Sequence, residues 1–416
     1  MAQAQGALSQ VLMQMENTFK TLPTNVKSKK VYIETCDIKL DQGMDSSAVL
    51  RGGTRHPTQG VRGNVDVGGG INTELQATTA LLYAALGSMA SSQTGGTMGT
   101  AFGAPTATID AVNQLMTINQ TTHGCSVGDS IEIAGLTAPT SLNSLVFPVV
   151  AVPTANQLII RIPMGTTTTF TLGSGTIKRV TANGTAYTHT LKAGGNLASY
   201  VIEKGFTDIG QYFRYLGCKC SSLSFGIGGA GLIKLATNWM GASESTASSS
   251  FDTAPLDNGK RSFDNLGIAA ANILEGASAV ANILSIDSLT IDNDLDGDTF
   301  VVGGGGSRAG ISGGIYKITG TLKAQFEDLT YYTKARNLTE SSLDFTITRG
   351  TGAGTDNNES IQVVIPELVY KAASPPIEGP KGVVITLGFE GYYDNNADAT
   401  GLKIILKNAI PPGALI

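Results

Sequence analysis

Residues 281–343 read ANILSIDSLTIDNDLDGDTFVVGGGGSRAGISGGIYKITGTLKAQFEDLTYYTKARNLTESSL. Apolar residues alternate with polar ones through Ile286, Leu289 and Ile291, an Asp/Gly turn follows, and alternation resumes over residues 315–326. Successive strand side chains point to opposite faces, so the pattern is that of paired, half-buried antiparallel strands. Its polar residues are turn-formers and surface charges rather than a reactive set. That points to a building block more than an enzyme.

Further strands are expected at residues 199–206, 212–227, 232–239, 342–349, 360–370, 383–392 and 401–406, with Gly217 splitting the second at a bulge or turn. Toward the N-terminus, residues 1–29 suit an arm or a short amphipathic helix, and residues 30–40 (KVYIETCDIKL) are a strand candidate with no cleanly apolar face. Residues 41–70 are glycine-rich, carry Arg51, Arg55 and Arg62, and read as a long loop of the kind that reaches a neighbouring molecule. Residues 73–86 (TELQATTALLYAAL) are the one helix expected, stopped by Gly87, and residues 88–103 read as a linker. Six short β runs between residues 104 and 181, separated by turn clusters, make a small barrel or sandwich with its own core. Residues 243–265 read as loop. The resulting fold class is mainly β: an antiparallel sandwich or barrel-like domain over residues 30–103 and 186–416, one packed helix, a small all-β insert at 104–185, and an arm at 1–29.

Composition agrees. The 416 residues suit roughly two to three domains of about 100–200 residues each. Apolar residues are 41% and charged residues only 15%, with 52 glycines, which favours an all-β class rich in tight connections. A net charge of -5 without a basic run longer than the Lys27–Lys30 neighbourhood excludes the electrostatic footprint of a nucleic-acid binder. Four cysteines are too few for a disulfide scaffold and are expected as free thiols in a reducing cytosol. The N-terminus lacks the pattern of a secretory signal, and residues 266–284 fall short of a membrane span.

Chemical motifs are weak. Ser126 and Ser312 match the nucleophile-elbow string, but neither lies between a strand and a helix, and only His56, His123 and His189 could serve as base. Residues 292–297 (DNDLDG) copy half of a calcium loop, yet its twelfth position is Gly303, so a charged turn is expected. Gly303–Gly306 lacks the Lys-Ser/Thr pair of a phosphate loop. No catalytic, cofactor or metal site is assigned. Tyr331, Tyr332, Tyr392 and Tyr393 are expected in core or interface packing.

The order and spacing of several fragments resemble the tail tube (major tail) proteins of long-tailed, siphovirus-like bacteriophages. They are residues 70–75 (GINTEL) with the helix after them, 199–205 (SYVIEKG), 215–223 (YLGCKCSSL), 288–294 (SLTIDND), 314–322 (GIYKITGTL), 361–366 and 388–391. Residues 126–135 (SVGDSIEIAG), Asn143 and residues 149–152 in the insert are similar to small β modules that recur in phage virion proteins. The resemblance implies a structural virion protein, assembled in the host bacterial cytoplasm. Six copies would close into rings, and the rings would stack around a lumen through which genomic DNA passes without specific binding. It also implies contacts with tape measure, terminator and distal tail proteins, no membrane, and a loop bearing Arg51, Arg55 and Arg62 that bridges rings. The alternatives are a tail terminator, a capsid decoration protein, or a β-sandwich glycan-binding or glycan-cleaving protein.

Overall fold

The computed structural model describes residues 3–49, 56, 58–78, 80–269, 272–377 and 379–414. The two strands of the opening stretch are neighbours: Ile283–Asp292 pairs antiparallel with Lys317–Gln325, from Ile283 opposite Ala324 to Asp292 opposite Lys317. The register slips between Ile286 and Ser288. An extra residue in one strand flips the faces that follow, which is why the buried positions Ile286, Leu289 and Ile291 are unevenly spaced. Gly226 on the next strand sits against the Asp287 carbonyl, where no side chain would fit.

The centre of the molecule, however, is the eighteen-residue strand Gln211–Gly228. Its C-terminal half lies between Lys234–Gly241 and Ile283–Asp292, and its N-terminal half between Tyr200–Phe206 and Ser243–Ala247. The neighbours change at Gly217, which has φ +68° and where an added Cβ would meet Ala242 at 2.9 Å and the Phe19 ring at 3.0 Å. The Gly217 N–H donates to the buried Glu16 carboxylate at 2.8 Å. The expected break is thus a bend that lets one strand serve two neighbourhoods.

Outward from the centre, Lys234–Gly241 pairs with Val61–Glu74, and Lys317–Gln325 pairs with Val384–Gly391. Ser360–Tyr370 meets Val384–Gly391 with its last residues and Lys403–Asn408 with its first, while Ser341–Thr348 runs along its other edge. Ala186–Lys192 and Ser88–Thr94 continue from Lys403–Asn408. One apolar cluster joins both groups of strands, including Leu223, Ile291, Leu322, Phe345, Val363 and Leu406. The fold is mainly β with antiparallel sheets, as expected.

Several local expectations are corrected. Residues 9–15 are neither arm nor helix: Ser9–Met15 is a strand paired with Tyr200–Phe206, and Val11, Leu12 and Met13 are buried. The helix is shorter than 73–86, because Thr73 and Glu74 complete the strand Val61–Glu74 and the helix spans Ala80–Leu86. Gly87 ends it at φ +78°, its N–H donating to the Tyr83 carbonyl at 2.8 Å. A second helix, Thr330–Arg336, lies inside the opening stretch, with Tyr331 and Ala335 buried. Residues 88–103 hold two strands, Ser88–Thr94 and Thr97–Ala101, and residues 243–265 begin with Ser243–Ala247.

Thr97–Ala101 joins the six strands expected between residues 104 and 181, pairing with Thr176–Ala182. These strands surround a separate apolar cluster that includes Met116, Ile131, Phe147, Leu158 and Ile177. Its seam with the larger core is fastened by Arg161, which donates to the Tyr83 hydroxyl at 2.6 Å and the Asn196 carbonyl at 2.9 Å. Beside it, Ser91 stands opposite Val146, and the Met164 N–H reaches the Ser88 hydroxyl at 3.0 Å.

Candidate assembly surfaces

Within the region read as a loop over 41–70, residues 41–45 and 61–70 belong to two antiparallel strands. Lys39–Asp45 pairs with Val61–Glu74 from Lys39 opposite Gly68 to Asp45 opposite Val61. Glycines deceived the sequence reading because at this place they serve close approach: at Gly69, φ +140°, an added Cβ would lie 2.7 Å from the Asp37 carbonyl and from the Ile38 backbone, which cross over the strand. Lys234–Gly241 pairs with this strand only as far as Val67. Residues 61–66 run on with Lys39–Asp45 as their strand partner, with Val65 still buried in the larger core and Val61, Arg62 and Asn64 exposed.

Of the three arginines expected to reach a neighbour, Arg51 and Arg55 lie outside the described residues. Arg62 is on the hairpin, exposed, and its guanidinium lies 3.0 Å from the Gln42 carboxamide. Met44 and Val61 beside it are also exposed. The residue that fixes the hairpin, Arg308, was not flagged by any motif. It is 5% exposed and donates to the Gly297 carbonyl at 2.6 Å, the Gly241 carbonyl at 2.8 Å and the Asp66 carboxylate at 2.7 Å, with Phe300 under its guanidinium. This ties residues 297–308 to the hairpin root, and the Val65 N–H adds a bond to the Gly306 carbonyl at 2.7 Å. Gly303–Gly306 thus forms a turn packed on the hairpin, with Val302 fully exposed at its tip.

The opposite end of the same sheet is recessed. Glu74 opposite Lys234, Phe225 opposite Leu235 and Gly228 opposite Ser285 mark that end, while Val67 opposite Gly241 and Lys219 opposite Met240 mark the hairpin end. A groove of about 210 Å³ opens there, lined by Ile227, Ile268, Ile273, Ile283, Leu284 and Ile286. Asn265 shapes its floor by accepting from the Gly228 N–H at 3.0 Å, and Asp264 accepts from the Leu266 and Gly267 N–H groups at 2.9 and 3.0 Å. Leu266 is left 80% exposed at the rim.

The chemical motifs resolve into structure. His123 Nδ1 accepts from the Cys125 N–H at 3.0 Å, and the Ser126 N–H donates to Asp129, so these residues close a turn. In the 292–297 turn, Asn293 faces inward and donates to the Ala85 and Cys220 carbonyls, each at 3.0 Å, which caps the end of the helix Ala80–Leu86. Among the described residues no three His, Cys, Asp or Glu side chains gather as a metal site, and no helix is long and apolar enough to cross a membrane. The cysteines are free thiols, three buried and Cys36 partly so. Tyr331 packs edge-on against Tyr370, whereas Tyr393 is exposed. His189 is fully buried: its Nδ1 lies 2.8 Å from the Ser91 hydroxyl, and its Nε2 lies 3.0 Å from both the Asn408 side-chain oxygen and the Ile410 carbonyl. Burial pushes its pKa down to about 4.

An exposed strand pair at one end of the sheet and an apolar groove at the other are the surfaces this subunit offers. A profile of the phage tail tube protein family matches residues 6–391, and the chain belongs to that family. It is a structural component of the phage virion. A comparison with curated proteins finds no match.

Proposed function

We propose that this chain is a non-enzymatic tube subunit whose copies, six to a ring, stack into a hollow tail tube that conducts genomic DNA. The family match over nearly the whole chain carries this reading. The exposed Met44, Val61 and Arg62 on the strand pair support it, since rings that stack need a surface offered to the next ring. In this assembly Ser243–Ala247, whose described strand pairing is along one edge with Tyr212–Leu216, joins a neighbour within the ring and so loses its free edge. Arg62, with Arg51 and Arg55, pairs with acidic residues of the next ring. The module at 104–185 is an insert on the outer surface, and tape measure, terminator and distal tail proteins meet the tube at its ends. The particle assembles in the host cytoplasm.

The test is negative-stain electron microscopy with light scattering on the purified protein. Stacked rings of uniform bore are expected, and a strict monomer at high concentration under every salt condition would overturn the reading. Deleting residues 46–63 should leave a folded protein that no longer polymerises.

A further inference from the structure

We propose that the cleft between the two cores, lined by Lys27, Lys29 and Arg179, binds a phosphate-class oxyanion that bridges the smaller core to the larger one. It does so however copies of the chain assemble.

Position is the first argument. The basic run at residues 27–30, the longest in the sequence, lies at the seam between the cores. Lys27 and Lys29 come from the larger side, at the start of Lys29–Val31, and Arg179 comes from Thr176–Ala182 on the smaller side. With residues 126–130, 254–257 and 411–414 they enclose about 660 Å³. The two sides meet closely at its floor, where Gly413 lies against the Gly128 carbonyl and the Lys27 stem passes 3.7 Å from where a Gly128 Cβ would stand. Clefts between separately packed units are common ligand sites.

Charge is the second. The carboxylates at the cleft are already engaged. Asp129 pairs with Arg179 at 2.9 Å and accepts from the Ser126 N–H at 2.8 Å. Asp257 accepts from the Tyr32 hydroxyl at 2.7 Å and the Gly259 N–H at 2.9 Å, and Asp252 accepts from the Ser28 N–H at 2.9 Å and its hydroxyl at 2.8 Å. Lys27 is exposed and enters no ion pair among the described residues. Lys29 is 6% exposed and donates to the Lys27 carbonyl at 3.1 Å. Burial first, and the Lys27 charge second, push the Lys29 pKa down to about 8. An anion between these amines relieves their repulsion.

Arg179 is the third. Its side chain is 41% exposed, yet its Nε is buried and has no hydrogen-bond partner within the chain. Buried donors are rarely left so, and the guanidinium fork suits a tetrahedral oxyanion held against it. No aromatic side chain lines the cleft, so it offers no platform on which a sugar or a base could stack.

The experiment uses the full chain at constant ionic strength. Calorimetric titrations with inorganic pyrophosphate and with glycerol phosphate should each saturate at millimolar concentration or below, and the stronger response tells a free anion from a phosphoryl group carried on an organic molecule. Lys27→Ala removes an exposed side chain, so its melting without anion should match the parent's, while its affinity should fall about tenfold. Arg179→Met should lose the binding, and the stabilisation that the anion gives the parent should disappear with it. If neither compound saturates, the proposal falls. If binding saturates but Lys27→Ala and Arg179→Met bind as the parent does, the anion sits elsewhere as an adventitious ion only, and the proposal falls as well.

Discussion

The larger apolar core buries carboxylates, and the smaller one around residues 97–182 buries none. In the larger core each buried acid stands where a long excursion of the chain returns. Glu203 accepts from Arg214 at 2.9 Å, the Ser250 hydroxyl at 2.6 Å and the Phe251 N–H at 2.9 Å, fixing the chain after Ser243–Ala247. Glu359 receives Arg261 at 2.7 Å and Arg349 at 3.2 Å. Glu367 receives the Asp394 N–H at 2.8 Å and the Asn396 side chain at 2.7 Å. The smaller core closes with local bonds instead, such as Asp110 to the Asn113 N–H and Asn143 to both backbone groups of Leu136. Short turns fix their own register, whereas distant segments need an anchor that is unfavourable unless every partner is present.

That contrast can be broken at its strongest point. Glu203→Ala strands several donors in a dry site and should cost about 3–5 kcal/mol. Calorimetry should show the larger core's transition falling while the smaller core's stays; a loss below about 1 kcal/mol would mean that the carboxylate is not an anchor.

The joint between the cores gives the next effect. His189 binds Ser91, the residue opposite Val146 on the strand Leu145–Thr154, whose Phe147 and Val149 belong to the smaller core. Its folded pKa of about 4 lies below the ordinary 6.5, so between those values the unfolded chain takes up a proton that the folded chain refuses. Stability should therefore fall as pH drops from 6.5 to 4, by on the order of 3 kcal/mol. Denaturation followed across that window checks it, and His189→Gln should flatten the slope.

The smallest effect sharpens the seam itself. Arg161→Met removes the donor to Tyr83 and should cost about 1–2 kcal/mol, while separating the two melting transitions. Coincident transitions in the variant would show that the cores are coupled by something other than this side chain.

Strand positions were legible where alternation is driven by burial on one face. Ser360–Tyr370 appears at its expected bounds, and the six short runs of the smaller core are all present. Legibility failed where glycine means close packing, as at Gly69 beneath residues 37–38, because composition cannot separate a turn from a crossing of chains. It failed for Ser9–Met15 because the apolar run Val11–Met13 is short and the glutamines on either side mask any period. The hairpin end was half legible: its arginines were noticed, while Arg308 was not, since its partners come from residues 66, 241 and 297 and no local pattern joins them.

Arg308 also bears on the speed of assembly. Because its guanidinium holds the hairpin root inside the isolated subunit, the conformational freedom of that segment is surrendered when the chain folds and not when copies meet. A subunit that docks through this hairpin arrives with its root already ordered. In the tube proposed above, collision frequency rather than a search through the conformations of this root would then set the pace of growth.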